Sequence, residues 1–313
     1  MEKDTALSVQ DVADLLNVSK SMIYNLIKKG EINSYTVGRK VRLSEEDVQE
    51  YIARSKRGLV AGKEGRTMPA SAGLSTPEKK GNGFIICGQD LILDVLSNYM
   101  RLYDVQALRA YIGSYDSLVS LYKNKIDVAS VHLWDADCDT YNTPYVKRLL
   151  PGISSVVVHL ICRMQGLYVA KGNPKNITCW EDLGREDITM INREPGAGSR
   201  VLLDQNLKRL GIFGSTVKGY NKELQSHLAV ASAVSGGEAD VAVGSEKIAR
   251  QVDNIEFIPL KKEHYDLVFK KEDMQKHEVQ TMLKVIQSTA FKNEFTHIGG
   301  YDTSDMGKII AEL

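Results

Sequence analysis

Val9, Val12, Ala13 and Leu16 fall at i, i+3, i+4 and i+7 and mark the buried stripe of a short helix. Ser8 can cap it, and Asp11 sits at its third position near the positive end of the helix dipole. Asn17 and Val18 make a turn, and Ser19 can cap a second helix. There Ile23, Leu26 and Ile27 face inward, while Lys20, Ser21, Tyr24, Asn25 and Lys28 face out, and Gly30 suits the left-handed stop. Residues 34–43 alternate as two strands about Gly38, with Arg39 and Lys40 at the tip and Arg42 just behind. Ser44 begins a third helix, with Asp47 at its third position and Val48, Tyr51 and Ile52 inside. Two short helices, a tight turn and a wing describe a helix-turn-helix, although a small helical interaction module has the same periodicity.

The pattern then lapses. Residues 55–83 are rich in Gly, Ser, Ala, Pro and Lys with almost no large apolar residue, which predicts a flexible tether. Phe84–Cys87 reads as an apolar strand, followed by a helix with Leu91, Val95 and Tyr99 on one face. A strand near Val105–Tyr111, a helix from about Asp116 to Lys123 and a strand Asp127–His132 follow. Such alternation predicts a parallel α/β sheet, whose ligands sit beyond the carboxyl ends of the strands. Gly88-Gln89-Asp90, Gly113-Ser114-Tyr115 and His132-Leu133 occupy those ends and should converge. A second set follows Leu167–Ala170: a strand Ile188–Ile191, a glycine-bearing turn over 192–200, and a helix with Leu203, Leu207 and Leu210 inside, ended by Gly211. The turn is either an anion cradle at a helix start or a plain tight turn.

Composition bounds these readings. The 313 residues suffice for two or three folding units, and 43% hydrophobic with 26% charged residues fits a globular chain. Lys plus Arg (40) balance Asp plus Glu (40), yet residues 20–57 gather Lys20, Lys28, Lys29, Arg39, Lys40, Arg42, Arg54, Lys56 and Arg57, a basic surface of the kind that meets phosphates. No stretch is apolar enough to span a bilayer and no secretory signal is visible, so a cytoplasmic protein is expected. Cys87, Cys138, Cys162 and Cys179 make no CxxC pair, so neither a structural zinc nor any other bound metal is expected.

The stretch SVQDVADLLNVSKSMIYNLIKKGEINSYTVGRKVRLSEEDVQEYI, covering residues 7–54, resembles the excisionase-type winged helix-turn-helix related to the MerR regulators. That resemblance implies a DNA-binding domain over 1–54. Ser19, Lys20, Ser21, Tyr24, Asn25 and Lys28 would approach the major groove, and Arg39, Lys40 and Arg42 the backbone or minor groove. Five later segments, VHLWDADCDTYN, CRMQGLYVAKGNP, INREPGAGSRVLLDQ, SHLAVASAVSGGEADVAVG and HIGGYDTSDMGKII, together resemble the periplasmic-binding-protein-like domain found fused to such readers, a family similar to molybdate- and tungstate-binding proteins. It implies an α/β, type II binding-protein fold over 84–313: two lobes, one at about 84–165 plus 258–313 and the other at about 166–257, joined by two crossover strands. Where that family usually reads Gly-Ser-Gly-Thr-Arg, this chain has Gly196-Ala197-Gly198-Ser199-Arg200, so Ala197 removes a hydroxyl donor.

Candidate ligand groups at the cleft are Gln89, Asp90, Ser114, Tyr115, His132, Asn142, Arg163, Arg193, Ser199 and Arg200, with Ser117, Gln165 and Glu246 behind them. Donors predominate, which suits an oxyanion. Asp90 is expected to cap the following helix, His227 and Tyr265 to pack, and Arg193 and Arg200 either to bind or to pair with surface acids. The reading is a one-component transcriptional regulator, expected to be a homodimer on double-stranded DNA. Its expected effector is a small anion, molybdate or tungstate before others, and no resident cofactor is expected. An organic anion would need an apolar wall, which Tyr115, Trp134 or Tyr168 could supply. An enzyme linked to molybdenum-cofactor metabolism is the competing class. It is disfavoured because no nucleophile–base pair, paired carboxylates, HExxH or P-loop stands at motif spacing.

Overall fold

Ser8 fastens the first helix by a reciprocal cap: Asp11 N donates to Ser8 Oγ at 3.2 Å, and Ser8 N to Asp11 Oδ2 at 2.8 Å. Ser44 and Asp47 repeat the device, with Asp47 N donating to Ser44 Oγ at 3.1 Å. The computed structural model describes residues 7–16, 20–28, 32–37, 40–45, 47–48 and 83–313. The chain divides into two compact units, residues 1–72 and 73–313.

In the first unit, β1 (Leu7–Ser8) leads into α1 (Val9–Leu16), then α2 (Lys20–Lys28), β2 (Tyr35–Val37) and β3 (Lys40–Leu43). β3 lies between β1 and β2 in an antiparallel sheet, with Leu7 opposite Leu43. The β1 pairing is an addition to the expected hairpin; it anchors the chain ahead of α1 to the wing. Val9, Val12, Ala13, Ile23, Leu26, Ile32, Leu43 and Val48 form one buried cluster. Lys20 and Tyr24 are exposed and Arg42 is half-buried. Ser19 and Arg39 lie outside the described residues, as do the side chains of Ser21, Asn25, Lys28 and Lys40. So do Asn17, Val18, Gly30, Gly38 and residues 49–82, which hold Tyr51, Ile52 and nearly all of the expected tether.

The second unit runs β4 (Phe84–Cys87), α3 (Leu91–Arg101), β5 (Ala107–Ala110), α4 (Ser114–Tyr122), β6 (Val128–Val131), a hairpin of β7 (Trp134–Asp135) and β8 (Thr140–Tyr141), α5 (Thr143–Leu149) and β9 (Ser155–Ala170). It continues through β10 (Asn192–Arg193), α6 (Gly198–Arg209), β11 (Glu223–Leu224), α7 (His227–Ser235), β12 (Val241–Ser245), α8 (Glu246–Ala249), β13 (Ile255–Lys270), α9 (His277–Gln287), α10 (Thr289–Ile298) and β14 (Ile309–Glu312). The main sheet has the order β12-β9-β13-β6-β4-β5, with β14 also on β9. β4 is parallel to β5 and β6, whereas β13 runs antiparallel to β6 and β9.

Alternation along β4 sends Phe84 and Ile86 to one face and Ile85 and Cys87 to the other. The first face packs under α3, α9 and α10; the second packs under α4 and α5. At the other end of β9 and β13 a second lobe repeats the arrangement. Leu167, Val169, Val241 and Val243 meet α6 on one face, and Tyr168 and Ala242 meet α7 on the other. The two 16-residue strands β9 and β13 therefore belong to both lobes. Their ladder is irregular between Pro259 and Lys261, opposite Gly166 and Gln165.

Gly166 is there because the strands approach too closely for a side chain: a Cβ would lie 2.0 Å from the Ile258 carbonyl oxygen. Gly166→Ala should destabilise the second unit by roughly 1–3 kcal/mol, as other overpacking changes do. The check is a lower urea midpoint with an unchanged slope.

Two local expectations need correction. The buried face of α3 is Ile92, Leu93, Leu96 and Met100, while Leu91 is 50% exposed and Val95 and Tyr99 pack only at the core margin. The 91/95/99 column is flanked by a broader apolar one that wins the core, and Leu91 projects from the first turn. Ile188–Ile191 is not a ladder strand: Met190 makes a single bridge to Val241, and pairing is taken up by Asn192 and Arg193 against β11. Among the described residues no helix is long and apolar enough to cross a membrane.

Candidate ligand site between the two lobes

The strand-to-helix turns after β4 and β5 and the starts of α6 and α7 meet in one cavity. Asp90 caps α3 by accepting from Ile92 N at 2.9 Å, and Ser226 caps α7 by accepting from Ala229 N at 3.0 Å. The corresponding residues of α4 and α6, Gly113 and Ala197, provide no side-chain cap, and both line the cavity beside Ser114 and Gly198. Their first-turn N–H groups are the kind an anion satisfies. Gly198 also allows close packing, since a Cβ there would fall 2.3 Å from His132 Cε1.

Beneath these helix starts lies a buried charge network. Arg163 donates from Nε to Glu263 Oε1 and from Nη1 to Asp90 Oδ2, and its guanidinium sits 4.7 Å from the Tyr265 ring centroid. Glu263 Oε2 faces His132 Nδ1 at 2.9 Å, and Gln165 Nε2 donates to Glu263 Oε1 at 2.9 Å. Burial would raise the Glu263 carboxyl, yet Arg163 and then His132 outweigh it and hold it at about 2. Against the same burial, Glu263 and Asp90 keep Arg163 charged. Asp90 has both oxygens engaged, because Tyr301 Oη donates to Oδ1 at 3.0 Å.

Arg193, 2% exposed, closes the other side. It binds Glu194 through Nε and Nη2, and Nη2 also donates to Gln89 Oε1 at 2.8 Å across the lobes. Its Nη1 is buried without a partner, as are Ser199 Oγ and His227 Nδ1. Burial, with Arg193 and Arg163 nearby, pushes the His227 imidazole far below its ordinary value, so it is neutral at pH 7. A second interlobe bond runs from Tyr115 N to Gly196 O at 3.1 Å. The enclosed space offers about 20 Å³ to the centres of oxygen-sized atoms. That is room for a very small solute only.

Of the residues singled out in the sequence, Gln89, Asp90, Ser114, His132, Arg163 and Arg193 line this cavity. Asp90 both caps and lines. Tyr115, Asn142, Ser199 and Arg200 do not line it. Tyr115 contributes its backbone, while its side chain borders an outer groove. Asn142 is spent on Leu133 N, His264 O and Asp266. Ser199 is one residue beyond the lining Gly198, and Arg200 turns to Asp204, Glu223 and the Tyr220 ring while donating to Arg193 O at 2.9 Å. Ser117 bonds Gly113 O, and Glu246 pairs with Arg250. Trp134 and Tyr168 are buried elsewhere, under Lys261 and against Ser245 O. His227 and Tyr265, expected to pack, are wall residues, and Glu263 was not foreseen at all.

Residues 97–287 match the PBP superfamily domain family, and residues 6–56 match the helix-turn-helix domain family. Fold, cavity and reader together define a class: DNA-binding regulators of helix-turn-helix type with a binding-protein-like ligand domain. The chain belongs to the PBP superfamily domain family. It is 40% identical over 314 residues to the uncharacterized protein YvgK of Bacillus subtilis (strain 168), with 100% of both chains covered. In fold it is similar to a putative phosphate ABC transporter substrate-binding protein with bound phosphate from Clostridium perfringens, at TM-score 0.54 and 15% identity, covering 71% of this chain and 99% of that one. It is also similar to the sulfate-binding protein SubI from Mycobacterium tuberculosis H37Rv, at TM-score 0.50 and 16% identity, covering 71% and 86%.

Proposed function

We propose that this chain is a ligand-responsive transcriptional regulator whose second unit clamps one fully ionised tetrahedral oxyanion, molybdate or tungstate before others. The observation that carries the reading is Arg193, a buried cation that lines a small cavity between two uncapped helix starts and whose Nη1 has no partner. Asp90 already accepts from Ile92 N, Tyr301 Oη and Arg163 Nη1, which leaves it little capacity for the proton of a protonated phosphate, whereas a dianion needs only donors.

An anion bridging Arg193 on one lobe and the α4 start on the other binds the closed lobes better and shifts their population. In a homodimer that shift alters the placement of two winged heads on a two-fold DNA site, with Lys20, Tyr24 and Arg42 among the contacting groups. The sensor binds its effector without turning it over, and no resident cofactor is required.

A second reading rests on the wider cavity of about 380 Å³ that shares Gln89, Asp90, Arg163 and His227 with the inner one. Its wall of Leu91, Tyr111, Leu228, Ile248 and Tyr301 would suit the body of an organic anion with its charged end inside.

A thermal-shift panel on the full chain, with molybdate, tungstate, sulfate, phosphate and small organic acids, separates the two. An anion at a hundred times its dissociation constant should add about 2.7 kcal/mol of stability, and the stabilising anion should also change operator affinity. No shift with either metal oxyanion, beside a clear shift with an organic acid, would transfer the proposal to the second reading.

A further inference from the structure

The two crossover strands carry a second cluster on the face opposite Arg163 and Glu263. In their register Cys162 pairs with His264, Ile161 with Tyr265, and His159 with Asp266, with an irregularity between Tyr265 and Asp266. Leu160 is the unpaired residue. In a regular strand positions 159 and 162 would face opposite ways; the extra residue turns both to one side, together with His264 and Asp266.

The result is a convergent set of soft and borderline donors. His159 Nδ1 is 2.7 Å from Asp266 Oδ1, and Asn142 Nδ2 holds the other Asp266 oxygen at 2.7 Å. With that proton directed at the carboxylate, His159 Nε2 points at Cys162 Sγ, 3.5 Å away. A donor atom from each of His159, Cys162 and His264 lies within 4.8 Å of the others. Bonds of about 2.3 Å to sulfur and about 2.05 Å to nitrogen at a tetrahedral angle place the two ligand atoms about 3.6 Å apart, close to the observed gap. His159 and Cys162 are buried while His264 is exposed and stacked on Tyr141, so one donor is reachable from solvent. The Tyr141 hydroxyl is itself buried without a partner.

We propose that His159, Cys162 and His264 bind a transition-metal ion of zinc type, one per chain, through one thiolate and two imidazoles, with the fourth position left to water. Asp266 orients His159, as carboxylates commonly do for metal-bound histidines. The ion would tie β9 to β13 a few residues from their irregular rung at Lys261. A search for paired cysteines does not reach this site, because its third ligand is 102 residues from the second and the bulge hides the common face of the first two.

The test uses the full chain, stripped of metal with a chelator and titrated with Co²⁺, then with Zn²⁺ against a chromophoric competitor. One equivalent of Co²⁺ should produce a near-ultraviolet thiolate-to-metal band. Cys162→Ser should abolish the band, and Cys162→Ser and His264→Ala should each weaken Zn²⁺ binding at least tenfold. Cys138→Ser, which removes an exposed thiol elsewhere, should bind as the parent does. His264 is at the surface, so its replacement leaves the fold intact and the comparison valid even if Cys162→Ser folds poorly. A parent chain that shows no thiolate–cobalt band, or a His264→Ala variant that binds Zn²⁺ as tightly as the parent, overturns the assignment.

Discussion

Arg163→Met is expected to cost the second unit about 3–5 kcal/mol at pH 7, because it leaves charge buried without its counter-charge. Asp90 and Glu263 would lose their shared guanidinium, and Glu263 at 1% exposure has no route to water. The pH dependence has a definite sign. In the parent the Glu263 carboxyl is held at about 2 against an ordinary value of 4.5, so its stabilisation is complete above 4.5 and is lost as pH falls towards 2. In the variant the largest opposing charge is gone and only His132 and Gln165 still counter burial, so the carboxyl rises and acidification costs the variant less than it costs the parent. Urea unfolding at pH 7 and pH 4 should show the stability gap narrowing at the lower pH. A gap of under 1 kcal/mol at pH 7 would mean that the network is not held as described.

Arg193→Gln should leave the fold standing but weaken oxyanion binding by about 10- to 150-fold, the equivalent of about 1.5–3 kcal/mol for a hydrogen bond to a charged group. Its carboxylate partner Glu194 is partly exposed and can rehydrate, so stability should change little. Calorimetric titration of the full chain with molybdate gives the readout. Undiminished affinity in Arg193→Gln would remove the central support for the proposed ligand.

Much of the second unit is legible because its strands are apolar and its helices begin at recognisable turns. Phe84–Cys87 is found to the residue, and the turns after β4, β5 and β6 meet at the cavity they were expected to build. The misses trace to side-chain partners that local appearance does not show, most of them brought in by long-range pairing. Glu263 lies in Lys261-Lys262-Glu263-His264, a stretch that reads as a solvated run, yet pairing with β9 buries it opposite Arg163. Arg200 follows the glycine turn as closely as a ligand residue would, but its place on α6 aims it at Asp204, one turn later, and at Tyr220. Asn142 has the polarity of a binding group and is consumed in tying the β8–α5 junction to β13. His227 resembles a packing residue because the rest of α7 is small and apolar; only the meeting of helix starts reveals it as a wall.

The path of β9 and β13 also dictates an order of assembly. The chain leaves the first lobe along β9, builds the second within the next hundred or so residues, and returns along β13. β14 then pairs with β9 again, setting Ile309 against Val158. On a ribosome the inner excursion is therefore available for closure while the outer frame still waits for α9, α10 and β14, contacts with the largest separation along the chain and the slowest to form. Loss of the last few paired residues would strike the lobe that was started first and spare the one synthesised between.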